Sequence, residues 1–155
     1  MSATAQIAIV LGSKNDASHV AATTELLDRF GVTWDMQTLS AHRQPDKLHA
    51  YVRDAVAGGT RVFIAVAGLS AALPGVIASL ASVPVIGLPV PAGALAGIDA
   101  LLSMVQMPGG VPVATVGIGS NGSKNAAVLA ARILALTDER VAQRLEAYRA
   151  ELERG

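Results

Sequence analysis

The 155-residue chain has no cysteine, which excludes disulfides, thiolate zinc sites, a cysteine nucleophile and thiol redox chemistry, and agrees with a reducing cytoplasm. Aromatic residues are only 3% of the sequence, and Lys plus Arg (12) equal Asp plus Glu (12). Rings on which bases could stack and a basic excess for phosphate backbones are therefore both lacking, and nucleic acid is not an expected partner. No uninterrupted apolar run is long enough to span a bilayer, and Met1–Gln6 lacks the basic region of a signal peptide, so no membrane partner is expected and the expected location is the cytoplasm. Charge is scarce too: 15% of residues against a usual share of about 25%, with 52% hydrophobic. So little charge leaves apolar surface to be covered by subunit interfaces, and a homo-oligomer is expected.

What is present repeats a simple pattern. Ile7-Ala8-Ile9-Val10-Leu11 is a continuous apolar run of the kind buried on both faces of a parallel sheet, and it ends at Gly12. Val20, Thr23, Leu27 and Phe30 follow at helical spacing, closed by Gly31, with Ser13 and Asp16 spaced as a capping box. Thr33–Leu39 reads as a second strand, and Pro45 suits the first position of a helix carrying Leu48, Tyr51, Val52, Ala55 and Val56 on one face. Val62–Val66 is a third strand, and a small-residue loop from Ala67 to Ala72 leads to a helix opened by Pro74. Val83–Leu88 is the fourth strand, Ile98–Met107 a helix, Val113–Ile118 the fifth strand and Gly119–Ser123 a turn. A helix from Asn125 to Leu136 and a last one at about 139–153, capped by Asp138, complete the chain.

Strands alternating with helices predict one α/β domain over residues 1–155, a three-layer doubly wound parallel sheet, flavodoxin-like, with strand order 2-1-3-4-5. Ligands of such sheets bind beyond the carboxyl ends of the strands, at the switch between strands one and three. That order brings together Gly12–Asp16, Ser40–Arg43 and Gly68–Ser70, three polar or glycine-rich loops far apart in sequence.

Small residues at Gly12, Ser13, Gly68 and Ser70 let a ligand approach main-chain N–H groups at helix N-termini, which suits a phosphate. Arg43 adds a full charge and a two-pronged grip, unless it pairs with Asp46 instead. Asp16 fits ribose hydroxyls, or serves only as a cap. Of the three histidines, His19 and His49 lie on helices among polar neighbours and read as solvated. His42 is the one evident acid–base group beside the pocket. These residues point to a phosphate-bearing small molecule and proton transfer, and no further.

The motifs resemble the PurE family of purine biosynthesis. Gly12-Ser13-Lys14-Asn15-Asp16 is similar to its GSxSD loop, and Ser40-Ala41-His42-Arg43-Gln44-Pro45-Asp46 to its SAHRxPD loop. Leu73-Pro74-Gly75 is similar to the end of its AGGAAHLPG loop, Val105–Pro108 with Gly110–Val113 to VQMPxGxPV, and Asn125–Ala135 to its NAALLAAxIL helix. The resemblance, nearest to the bacterial class, implies a homo-octamer that moves a carboxylate from the exocyclic nitrogen of N5-carboxyaminoimidazole ribonucleotide to a ring carbon, without ATP, metal or organic cofactor. It implies His42 as proton shuttle, Ser13, Ser40 and Arg43 as phosphate ligands, Asp16 as ribose ligand, and Gly68 to Leu73, Ser70 included, as the carboxylate pocket. Three positions depart from the pattern: Asn15 replaces a Ser, Leu69 a Gly, and Ala72 the His before Leu-Pro-Gly. The alternatives are a carboxylase acting on aminoimidazole ribonucleotide with free carbon dioxide, and a paralogue binding or rearranging another ribonucleotide.

Overall fold

The computed structural model describes residues 5–155, so Met1–Thr4 of the stretch read for a signal peptide lie outside the described residues. Its strands are β1 (Ile7–Leu11), β2 (Trp34–Thr38), β3 (Val62–Ala67), β4 (Val85–Pro89) and β5 (Ala114–Thr115). A 3-10 segment, Lys14–Val20, runs into α1 (Ala21–Phe30); the other helices are α2 (Pro45–Ala57), α3 (Leu73–Leu80), α4 (Ile98–Val105), α5 (Ser120–Ala135) and α6 (Glu139–Arg154). All strands pair in parallel in the expected order β2-β1-β3-β4-β5.

The two-residue period of a strand divides the core. Ile7, Ile9 and Leu11 of β1, with Ile64 and Val66 of β3, face Leu27 and Phe30 of α1 and Ala127 and Leu134 of α5. Ala8, Val10, Phe63 and Ala65 face the other way, onto Leu48 and Val52 of α2, Ile77 of α3 and Met104 of α4. In β1 the larger side chains share one face and the smaller ones the other, so a slip of one residue would drive Ile and Leu into the space that Ala8 fills. Each such side chain contributes about 1.5–3 kcal/mol when fully buried, which makes the observed register strongly preferred.

Helix ends follow local chemistry. Gly31 takes the left-handed conformation (φ 68°) that closes α1, and Pro45 opens α2. The Asp138 carboxylate accepts the N–H groups of Arg140 and Val141 at 3.1 and 3.4 Å, starting α6. Tyr148 of α6 meets Phe30 edge to face at 5.5 Å between centroids, beneath the Arg29 guanidinium, which also pairs with Glu151.

Four expected boundaries are corrected. The fourth strand begins at Val85 rather than Val83; Pro84 precedes it, and its carbonyl accepts the Phe63 N–H at 3.0 Å. α4 stops at Val105 instead of Met107, because Met107 precedes Pro108 and is steered away from helical backbone. β5 spans two residues rather than Val113–Ile118, a short sheet edge. Gly119–Ser123 is not a turn: α5 already begins at Ser120. There a buried Thr23 hydroxyl, 2.8 Å from both the Ser123 carbonyl oxygen and Oγ, draws Gly122 and Ser123 into the helix.

Candidate active site

At the carboxyl edge of the sheet, the loops after β1, β2 and β3 surround a cavity of about 440 Å³. Ser13, Asp16, Ser40, His42, Arg43, Gly68, Ser70 and Leu73 all line it. The β2-β1-β3 order is the cause, since it makes these three loops neighbours.

The first loop is locked by its own side chains. The Ser13 N–H donates to Asp16 Oδ2 at 2.9 Å, and Ser13 Oγ accepts the Asn15 N–H at 3.2 Å, so Ser13 and Asp16 form the reciprocal cap their spacing suggests. Asp16 is thus both a cap and a wall of the cavity. Burial pushes its carboxyl above the ordinary carboxylate range, partly offset by the Ser13 N–H and the charge of His19.

That shift carries a stability consequence. As pH falls, native Asp16 takes up its proton before the unfolded chain does, so the destabilisation from its buried charge is complete above the native pKa, declines as pH falls through it, and vanishes only below the unfolded value of 3.8. Asp16→Asn keeps an acceptor for Ser13 without the charge. It is expected to raise the melting temperature at pH 7, with the gain shrinking as pH approaches and passes below the ordinary value of 3.8. Calorimetry at both ends of that range checks this; a constant difference contradicts it.

In the second loop, Ser40 Oγ accepts the Arg43 N–H at 3.2 Å, and Gln44 holds Ser40 by accepting its N–H on Oε1 at 3.3 Å. Gln44 was not singled out in the sequence; its place four residues after Ser40 is the signal that could have found it. His42 and Arg43 are exposed, and among the described residues neither side chain has a hydrogen-bond or ion-pair partner, Asp46 included. An imidazole and a guanidinium thus stand free at the cavity, able to exchange a proton and to grip an anion.

The third loop is wound tightly. Leu69 is left-handed at φ 55°, a conformation costing a non-glycine residue about 1–2 kcal/mol. Ala71 N–H donates to the Leu69 carbonyl at 2.8 Å and Ala72 N–H to the Ser70 carbonyl at 2.7 Å. Ala92, from the loop after β4, completes this side. Nothing in its residue type marks it; only the neighbouring of β3 and β4 could have placed it here. His19 and His49 do not line the cavity. Among the described residues no three His, Asp or Glu side chains gather as metal ligands.

This is a flavodoxin-like α/β protein with a cavity at the strand switch point, lined by the His42 imidazole and the Arg43 guanidinium. Residues 6–155 match the AIR carboxylase family. The sequence is 48% identical to N5-carboxyaminoimidazole ribonucleotide mutase of Haemophilus influenzae over 96% of this chain and 91% of that protein. It is 47% identical to the Escherichia coli protein of the same name, over 94% and 86%. The crystal structure of Treponema denticola PurE superposes with a TM-score of 0.87 at 30% identity, covering 96% of this chain and 91% of that one. The chain belongs to the AIR carboxylase, or PurE, family, an enzyme family whose curated relatives are named as mutases.

Proposed function

We propose that this enzyme converts N5-carboxyaminoimidazole ribonucleotide to 4-carboxy-5-aminoimidazole ribonucleotide, with His42 as general acid and base. The observation that carries the reading is that His42 and Arg43, without side-chain partners among the described residues, share one cavity with Ser13, Asp16 and Ser40, in a chain close to relatives named as this mutase. Arg43 with the hydroxyls of Ser13 and Ser40 grips the phosphate, and Asp16 accepts hydrogen bonds from the ribose. Gly68, Ser70 and Leu73 border the carboxyl group. The reaction is an isomerisation within one molecule, so it balances without ATP, metal or organic cofactor.

The active form is proposed to be a homo-octamer working in the cytoplasm. Ile98, Leu102 and Val105 lie one helical turn apart on α4, each more than half exposed, and Leu95 extends the stripe. A second copy of the chain would cover this face. The test is a turnover assay on protein whose mass has first been measured by light scattering. A mass of several chains and consumption of the carboxyamino ribonucleotide are expected. Turnover only with aminoimidazole ribonucleotide and bicarbonate would make it the carboxylase; binding without turnover of either would make it a ribonucleotide-binding paralogue; and a single-chain mass would remove the assembly.

A further inference from the structure

Ser40 and Arg43 meet at the cavity because the chain turns back on itself between Ser40 and Gln44, and that turn is closed twice. The Gln44 N–H donates to the Ser40 carbonyl at 2.9 Å, and Gln44 Oε1 accepts the Ser40 N–H at 3.3 Å. The second bond comes from a side chain, and no other group among the described residues takes the Ser40 N–H. Both ends are anchored. The Gln44 carbonyl accepts the N–H of Leu48, a fully buried residue of α2, and the Leu39 N–H, next to Ser40, donates to the Leu11 carbonyl of β1.

Pro45 is why this side chain is available. A proline keeps the residue before it out of helical backbone, and Gln44 takes φ −137° and ψ 47° at the start of α2. It makes no cap to its own helix and reaches back to Ser40 instead. Its amide oxygen is uncharged, so it satisfies a main-chain N–H without setting a negative charge beside an anion-binding group. Gln44 does not itself line the cavity. It stands at the open position of the SAHRxPD pattern, so its bond to Ser40 belongs to this chain and not to the motif.

We propose that Gln44 is a positioning residue for the phosphate grip, acting through Ser40. The inference rests on the phosphate contacts proposed above. Ser40 Oγ accepts the Arg43 N–H at 3.2 Å. That bond uses a lone pair of the hydroxyl and leaves its hydrogen to donate to a phosphate oxygen. Ser40 is therefore the link between the two groups of the grip, its own hydroxyl and the main chain that carries the Arg43 guanidinium. Fixing the Ser40 N–H on Gln44 sets the backbone from which both project, before any substrate arrives, so binding does not have to supply that order. The main-chain bond from Gln44 to Ser40 survives loss of the side chain, which keeps the turn closed with His42 in it. The phosphate is held alike in the ground and transition states, so the effect falls on binding and not on the chemical step.

The test measures kcat and KM for the carboxyamino ribonucleotide. Gln44→Met, similar in length but without the acceptor, is expected to raise KM roughly fivefold while kcat stays within about twofold of wild type. Gln44→Asn keeps the amide but falls one methylene short of Ser40, and should do the same. Ser40→Ala keeps the main-chain N–H and loses the hydroxyl. Adding Gln44→Met to it should leave KM within about twofold of the Ser40→Ala enzyme, because no hydroxyl remains to be oriented. A wild-type KM in both Gln44 variants overturns the proposal, as does a rise that persists undiminished in the Ser40→Ala background, or a fall in kcat at unchanged KM. Loss of the fold in both variants also overturns it, by making Gln44 a support of α2. Wild type that binds the ribonucleotide without turning it over overturns the mutase reading instead. Dissociation constants then replace KM in the same comparison, which still decides the role of Gln44. Wild type that does not bind it has no phosphate grip to position, and overturns both.

Discussion

His42→Asn is expected to slow conversion of the carboxyamino ribonucleotide by about 10²–10⁴-fold, the usual worth of a positioned acid–base group. Asn can donate and accept hydrogen bonds, but it cannot take up a proton from a ring carbon and deliver it to a nitrogen. The fall should appear in kcat, with KM changed far less, because the phosphate and ribose contacts are the ones proposed above for Ser13, Ser40, Arg43 and Asp16. The fold is not at risk: His42 is exposed, and among the described residues its ring has no hydrogen-bond partner. An unchanged melting temperature would therefore accompany the loss and show that chemistry rather than folding was removed. Equal kcat for variant and wild type would end the assignment of His42.

The same loop shows what could be read in advance. β1 and β3 are continuous apolar runs, buried from end to end, so their place at the centre of the sheet follows from residue type alone. Once they are adjacent, the loops ending in Asp16, Arg43 and Ser70 must meet, and all eight candidate residues border one cavity. Gly31, Pro45 and Asp138 act through local backbone preferences that sequence carries directly. What sequence does not carry is position relative to distant chain. Leu69 gives no sign of its left-handed backbone, which belongs to the tight turn that follows it. Ala92 acquires its place from β4 packing beside β3. The start of α5 is hidden for a related reason, since Gly119-Ser120-Asn121-Gly122-Ser123 has turn composition and becomes helix through contacts a hundred residues away.

Gly122→Ala tests that last point and should carry the largest stability effect of the substitutions considered. A Cβ at Gly122 would lie 1.6 Å from the carbonyl oxygen of Gly117 and 2.7 Å from its carbonyl carbon, both main-chain atoms that no rotamer change can move aside. Helix propensity alone favours alanine over glycine by about 1 kcal/mol. Overpacking a close-packed site usually costs about 1–3 kcal/mol and occasionally more, and an obstacle of backbone belongs at the upper end. The clash therefore wins. Relief requires either moving Gly117–Gly119 or tilting the start of α5, and the second would pull Ser123 from the buried Thr23 hydroxyl. A net loss of about 2 kcal/mol corresponds to a fall of roughly 4–8 °C in melting temperature for a chain of this size. Ser123→Ala is the companion variant: Thr23 keeps the carbonyl acceptor, so only about 1 kcal/mol should be lost. A Gly122→Ala protein melting within about 2 °C of wild type would show that the helix start yields readily, and that the Thr23–Ser123 contact does not fix it.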